Sequence, residues 1–128
     1  MTGLGGGFLA VGAGAALGAW ARWGLGAWLN AHAARLPWGT LAANLLGGYL
    51  VGLAIAAFAS RPDIPANWRL FLVTGLLGGL TTFSTFSAES VGLMLRGDWA
   101  GAFVHALAHL VGAIAFTALG VATWRAFL

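Results

Sequence analysis

The chain has 128 residues, 60% hydrophobic and 7% charged, against about 25% charged in a soluble domain; with a mean hydropathy of +0.89 it reads as an integral membrane protein. Its net charge of +3 comes from scattered arginines, without lysine, so there is no basic patch of the kind that binds nucleic acid. The absence of cysteine excludes disulfides, thiol catalysis and Cys-ligated zinc.

The opening MTGLGGGFLA lacks a charged n-region and does not read as a cleaved signal peptide. The length fits one transmembrane domain, residues 1–128, of about four spans of ~20 residues. The runs are too long, and too free of period-2 alternation, for strands. The expected class is therefore all-α integral membrane, with four transmembrane helices per subunit.

The first span is predicted over 5–29 and closes at Asn30, His32, Arg35 and Pro37. Arg22 lies inside it, and an intramembrane charge is costly and functional by default. Three roles are open to it: snorkelling to the interface, drawing anions into a vestibule, or pairing with an acid. Gly14 and Gly18 lie four apart, as small-xxx-small pairs do where helix backbones approach closely in lipid. Trp20 and Trp23 lie deeper and are expected to pack. Trp28, Trp38, Trp68, Trp99 and Trp124 fall near predicted helix ends, where an indole favours the interface.

The second span, 41–59, stops at SRPDIP. Thr40, Asn44, Gly48 and Gly52 share one face of it. An amide in lipid needs partners, and Asn44 fits interhelical glue and donation to a passing anion equally well. The two glycine pairs suit tight packing within one bundle, or, on a sharper reading, a subunit interface. Four thin helices hardly enclose a pathway, so an oligomer is expected.

The third span, 70–95, contains GGLTTFSTFSAES at 78–90, with six hydroxyl side chains inside a membrane-length run. Gly78 and Gly79, followed by Thr81 and Thr82, weaken a helix through backbone entropy and competing hydroxyls. A helix broken at mid-membrane frees carbonyls and amides, and transporters place ions at such breaks. Phe83, Phe86, Ser87 and Ser90 form one stripe, and Thr82, Thr85 and Glu89 the next. This alignment suggests a polar track, not hydroxyls that merely cap turns. The phenylalanines fit packing, or, through their electropositive ring edges, an anion. Glu89 is awkward beside an anion unless protonated or at a wet mouth.

The fourth span, 102–122, carries His105 and His109 on one face. Two histidines without a third ligand make a weak metal site, so packing or pore lining is favoured over metal. The loop residue His32 says little. Four spans put Arg61, Arg69 and Arg125 on one side of the membrane and Arg35 and Arg96, with Arg22 deeper, on the other. This near balance leaves both insertion orientations open, and oppositely oriented copies would form an antiparallel dimer.

WGTLAANLLGGYLVG (38–52), TGLLGGLTTFSTFSAES (74–90) and GAWARW (18–23) together resemble the Fluc (CrcB-type) fluoride channels. The resemblance implies a dual-topology antiparallel homodimer with a third helix broken mid-membrane, two pores, and passive fluoride export across a bacterial plasma membrane. It implies a fluoride pathway at Phe83, Phe86, Asn44, Ser84, Thr85, Ser87 and Glu89, with Arg22 near the vestibule. It also implies a structural Na+ at the dimer centre, held by the backbone carbonyls of Gly78 and Thr81. One departure stands out: where hydroxyl or tyrosine side chains are expected on the fourth helix, this chain has His105 and His109. If His109 lines the pore, conduction varies with pH near the histidine pKa.

The nearest alternative is a proton-coupled exporter of a small anion or small molecule. It needs a buried acid, usually on the first helix, where only Arg22 lies; Glu89 is the other candidate. A non-transporting assembly subunit would tolerate apolar replacement of GGLTTFSTFS. No nucleophile elbow, metal-ligand cluster or substrate-sized loop points to an enzyme.

Overall fold

The computed structural model describes residues 3–31 and 36–128. His32 and Arg35 lie outside the described residues. The elements are α1 (Leu4–Asn30), α2 (Trp38–Ser60), α3 (Ala66–Arg69), a π-helical segment (Leu70–Leu77), α4 (Gly78–Leu80), α5 (Phe83–Leu95) and α6 (Trp99–Phe127). Among the described residues, four stretches are long and apolar enough to cross a membrane: Leu4–Asn30, Trp38–Ser60, Ala66–Leu95 and Trp99–Phe127. Lipid offers the backbone no hydrogen-bond partners, so apolar runs of this length close their own helical ladders, i→i−4 in most of the spans and π-helical over Leu70–Leu77. The predicted spans 5–29, 41–59, 70–95 and 102–122 lie within these helices, which extend further at most ends.

Glycine sets the packing. A Cβ on Gly14 would come within 2.8 Å of Leu76 N, and one on Gly18 within 2.7 Å of Leu80 N. On α2, a Cβ on Gly48 would meet Ala113 O at 3.0 Å, and one on Gly52 would meet Val121 N at 3.0 Å. The first pair therefore seats α1 on the third span and the second seats α2 on α6. Both glycine pairs are used inside the chain, which removes the reason to read either as a subunit interface. Gly18→Val is expected to destabilise the protein by about 1–3 kcal/mol or more through overpacking against backbone. Thermal unfolding in detergent checks this, and an unchanged Tm would mean that the two helices do not meet there.

The buried core is small: Ala43, Leu77 and Leu80, with Leu25, Leu50, Val51 and Ala54 packed around it. Trp20 and Trp23, expected to pack, are instead 66% and 77% exposed on α1. The contact line of α1 runs through Gly14 and Gly18. At 3.6 residues per turn, positions 20 and 23 point roughly 140–200° away from it.

The turn after α5 requires one glycine. Gly97 has φ 78°, its amide donates to Met94 O at 2.9 Å, and the Asp98 amide reaches Leu93 O at 2.9 Å. This is the Schellman closure, in which a left-handed residue satisfies the last helical carbonyls. Asp98 then caps α6 by accepting from the Gly101 amide at 2.9 Å. Between α2 and α3, Arg61 and Asp63 pair at 3.3 Å, and the guanidinium holds the exposed carboxyl below the usual carboxylate range.

Candidate functional site

The third span departs from helix at Thr81 (φ −87°, ψ 153°) and Thr82 (φ −152°, ψ 121°), both extended. Gly78 and Gly79, where weakening was expected, are themselves helical. The departure is held by side chains from other helices. Asn44 Oδ1 accepts from the Thr82 amide at 2.8 Å, and Asn44 Nδ2 donates to the Thr82 carbonyl at 3.0 Å. One amide side chain thus satisfies both backbone groups of an extended residue, as a neighbouring strand would. Arg22 Nε donates to the Gly79 carbonyl at 3.0 Å, which a continuous helix would pair with the amide of residue 83. This bond makes Arg22 the cap of a carbonyl.

The hydroxyls divide by task. Thr81 donates back to Leu77 O at 2.8 Å and Ser90 back to Phe86 O at 2.9 Å. Thr82 is the N-cap of α5, accepting from the Thr85 amide at 3.1 Å. Its oxygen also lies 3.1 Å from Thr85 Oγ1 and 3.3 Å from Ser84 Oγ. Local capping and back-bonding thus engage several hydroxyls that the stripe pattern read as a track. Ser84 is exposed, while Thr85 and Ser87 are half-buried.

Below these lies an aromatic and polar cluster between α2, α5 and α6. The Phe83 and Phe86 rings meet edge-on at 5.3 Å, and Phe86 lies 4.6 Å from the His109 ring and 5.5 Å from that of His105. Phe83 is 79% exposed, whereas His105 and His109 are buried. Thr40 Oγ1 donates to Glu89 Oε1, and Glu89 Oε2 lies 3.3 Å from His105 Nε2. Asn44 Nδ2 lies 2.9 Å from His109 Nδ1. The two bonds to Thr82 orient the Asn44 amide, so it donates to His109 and the neutral ring carries its proton on Nε2.

A cleft of about 540 Å3 is bounded by Asn44, Thr82, Phe83, Phe86 and His109. A second, of about 450 Å3, is bounded by Asn30, Thr85, Glu89 and Arg96. The row Thr40–Glu89–His105–His109–Asn44 has Glu89 in one cleft and His109 and Asn44 in the other. The structure therefore brings Asn44, Thr85, Phe83, Phe86 and Glu89 together around these clefts, with Ser84 at the cap of α5. Arg22, Gly78 and Thr81 lie at the departure from helix. Thr40 was placed on the Asn44 face but not in the site. Its polarity at the start of α2 was the only available signal, because its partner is 49 residues away.

Residues 9–121 match the CrcB-like protein family, described as Camphor Resistance (CrcB). A relative from Cupriavidus pinatubonensis is 57% identical over 119 residues, covering 93% of this chain and 94% of its own. One from Thiobacillus denitrificans is 59% identical over 113 residues, 88% and 91% of the two chains. One from Ralstonia pickettii is 56% identical over 127 residues, 99% of each. All three are named fluoride-specific ion channel FluC, the name of a channel and not of an enzyme. With four helices fit to cross a bilayer and bacterial relatives of matching length, the chain is a multi-pass bacterial membrane protein.

Proposed function

The chain belongs to the CrcB-like protein family, and on that premise we propose that it is a fluoride-selective ion channel giving passive export of fluoride across the plasma membrane. The observation that carries this proposal is the name shared by relatives that match the chain almost end to end. The local chemistry supports it. Ring edges of Phe83 and Phe86 present positive potential, and hydroxyls of Ser84, Thr85 and Ser87 can replace water around a small anion. Several weak sites in sequence let an ion enter and also leave. Glu89 borders the cleft of about 450 Å3, with Thr40 donating to it. Arg22 contributes positive charge at the vestibule while capping Gly79. Asn44 acts on the pathway by pinning Thr82 and orienting His109, since both hydrogens of its NH2 are engaged.

We further propose an antiparallel, dual-topology homodimer with two pores and with the third helix broken at mid-membrane. Phe83, Ser84 and Gly78 are exposed along the same segment, and polar backbone and hydroxyl groups at membrane depth are tolerated where protein covers them, so a second copy would cover this side. A structural Na+ at the dimer centre fits the donors: the Thr82 amide, which a continuous helix would send to Gly78 O, goes to Asn44 instead. That leaves hard carbonyl oxygens at Gly78 and Thr81. When bound, the ion supplies positive charge that anchors both departures from helix.

The test is fluoride efflux from liposomes containing the purified protein, with a potassium ionophore and no proton gradient. Fluoride is expected to leave quickly while chloride is retained. No fluoride flux from protein shown to be a folded dimer would overturn the channel, and flux that saturates and requires a proton gradient would favour the exporter.

A further inference from the structure

Three buried polar atoms of one cluster, Glu89 Oε2, His105 Nε2 and His109 Nε2, make no hydrogen bond of good geometry; Glu89 Oε2 and His105 Nε2 lie 3.3 Å apart. One ligand atom from each of these residues lies within 4.8 Å of those from the other two. A buried polar group without a well-formed hydrogen bond is destabilising by about 1–3 kcal/mol, and a cluster of three such groups is an arrangement that a bound cation would relieve. We propose that Glu89, His105 and His109 form a transition-metal site that takes Zn2+ through one carboxylate oxygen and two imidazole nitrogens, with a fourth position open.

The donor set selects the class of ion. Two imidazoles and one carboxylate suit zinc and its first-row neighbours, whereas calcium and magnesium take oxygen ligands. Tetrahedral zinc with bonds of about 2.0 Å has ligands roughly 3.3 Å apart, and Glu89 Oε2 and His105 Nε2 are 3.3 Å apart. The histidines are four apart on α6 and so project from one face. Their rings are 4.4 Å apart, edge to face.

The surroundings hold the ligands in place. Thr40 occupies Glu89 Oε1, which leaves Oε2 as a single, oriented ligand. Capture by His109 Nε2 moves the ring proton to Nδ1 and ends the Asn44 hydrogen bond there, while Asn44 keeps both bonds to Thr82. Glu89 borders the cleft of about 450 Å3, which gives an ion a route in. The site stands on this geometry and does not depend on the chain conducting fluoride.

The experiment uses purified full-length protein, stripped with a chelator and titrated with ZnCl2 by calorimetry, followed by zinc-edge X-ray absorption of the loaded protein. One Zn2+ per chain is expected, with a shell of two imidazole nitrogens and carboxylate oxygen. His105→Gln, His109→Gln and Glu89→Gln are each expected to weaken binding at least about tenfold, whereas His32→Gln leaves it unchanged. An absence of saturable binding, equal binding by all three cluster variants, or a shell of oxygen atoms alone would overturn the site. If a cluster variant does not fold, the absorption spectrum of the wild-type protein decides by itself. Fluoride efflux is measured separately, so loss of the zinc site and loss of the channel are distinguishable.

Discussion

Phe83→Ile and Phe86→Ile are expected to lower fluoride efflux by roughly tenfold or more each, with the protein still folded. The edge of an aromatic ring is worth about 0.5–1.5 kcal/mol to a suitable partner, and about 1.4 kcal/mol on a barrier is tenfold in rate. An anion that has shed water in a low-dielectric passage would feel the upper end of that range. Isoleucine keeps bulk and apolarity but has no quadrupole. The two positions also differ usefully. Phe83 is 79% exposed on its own chain, so its replacement removes little packing within the subunit, and the dimeric state of the variant is checked beside the flux. Phe86 is half-buried and stacked near both histidines, so its variant needs a melting curve beside the flux. Wild-type efflux from both variants would remove these rings from the pathway and return them to packing.

Hydropathy and punctuation located the four spans because in a bilayer they act on whole segments. The family string likewise pointed to the third span, where the unusual backbone lies. Side-chain partners across helices were much less legible. The local weakness at Gly78–Gly79 was visible, but the extended residues are Thr81 and Thr82, since Asn44 supplies the replacement partners there. No spacing rule links positions 44 and 82. Trp20 and Trp23 do not pack within the chain, because depth along the helix says nothing of the angle set by Gly14 and Gly18. His105 and His109 looked like a pair lacking a third ligand. Glu89, from α5, brings a carboxylate oxygen within 4.8 Å of a ring nitrogen of each histidine, a proximity that spacing along the chain does not show. The stripes on α5 were periodic as read, yet Thr81, Thr82 and Ser90 satisfy the backbone first.

Asn44→Leu is expected to reduce both stability and fluoride flux, and the pairing of those two losses is what identifies the role of Asn44. Hydrogen bonds between transmembrane helices average about 0.6 kcal/mol, because side chains freed in a membrane find other partners. Thr82 has no such recourse. Its amide and carbonyl are both held by Asn44, and an extended residue can regain neither bond from its own helix. Leaving both unpaired costs about 2–6 kcal/mol, with a further loss at His109 Nδ1, the third partner of this side chain. A donor that only met passing anions would behave differently: Asn44→Leu would slow flux while the melting temperature stayed put. Asn44→Asp refines the comparison. It keeps an acceptor for the Thr82 amide but sets a carboxylate against the Thr82 carbonyl and removes the donor to His109. If Asn44 pins the departure from helix, Asp falls between wild type and Leu in stability. A wild-type melting temperature in both variants would show that Thr82 holds its conformation without Asn44, and the anion-donor role would take precedence.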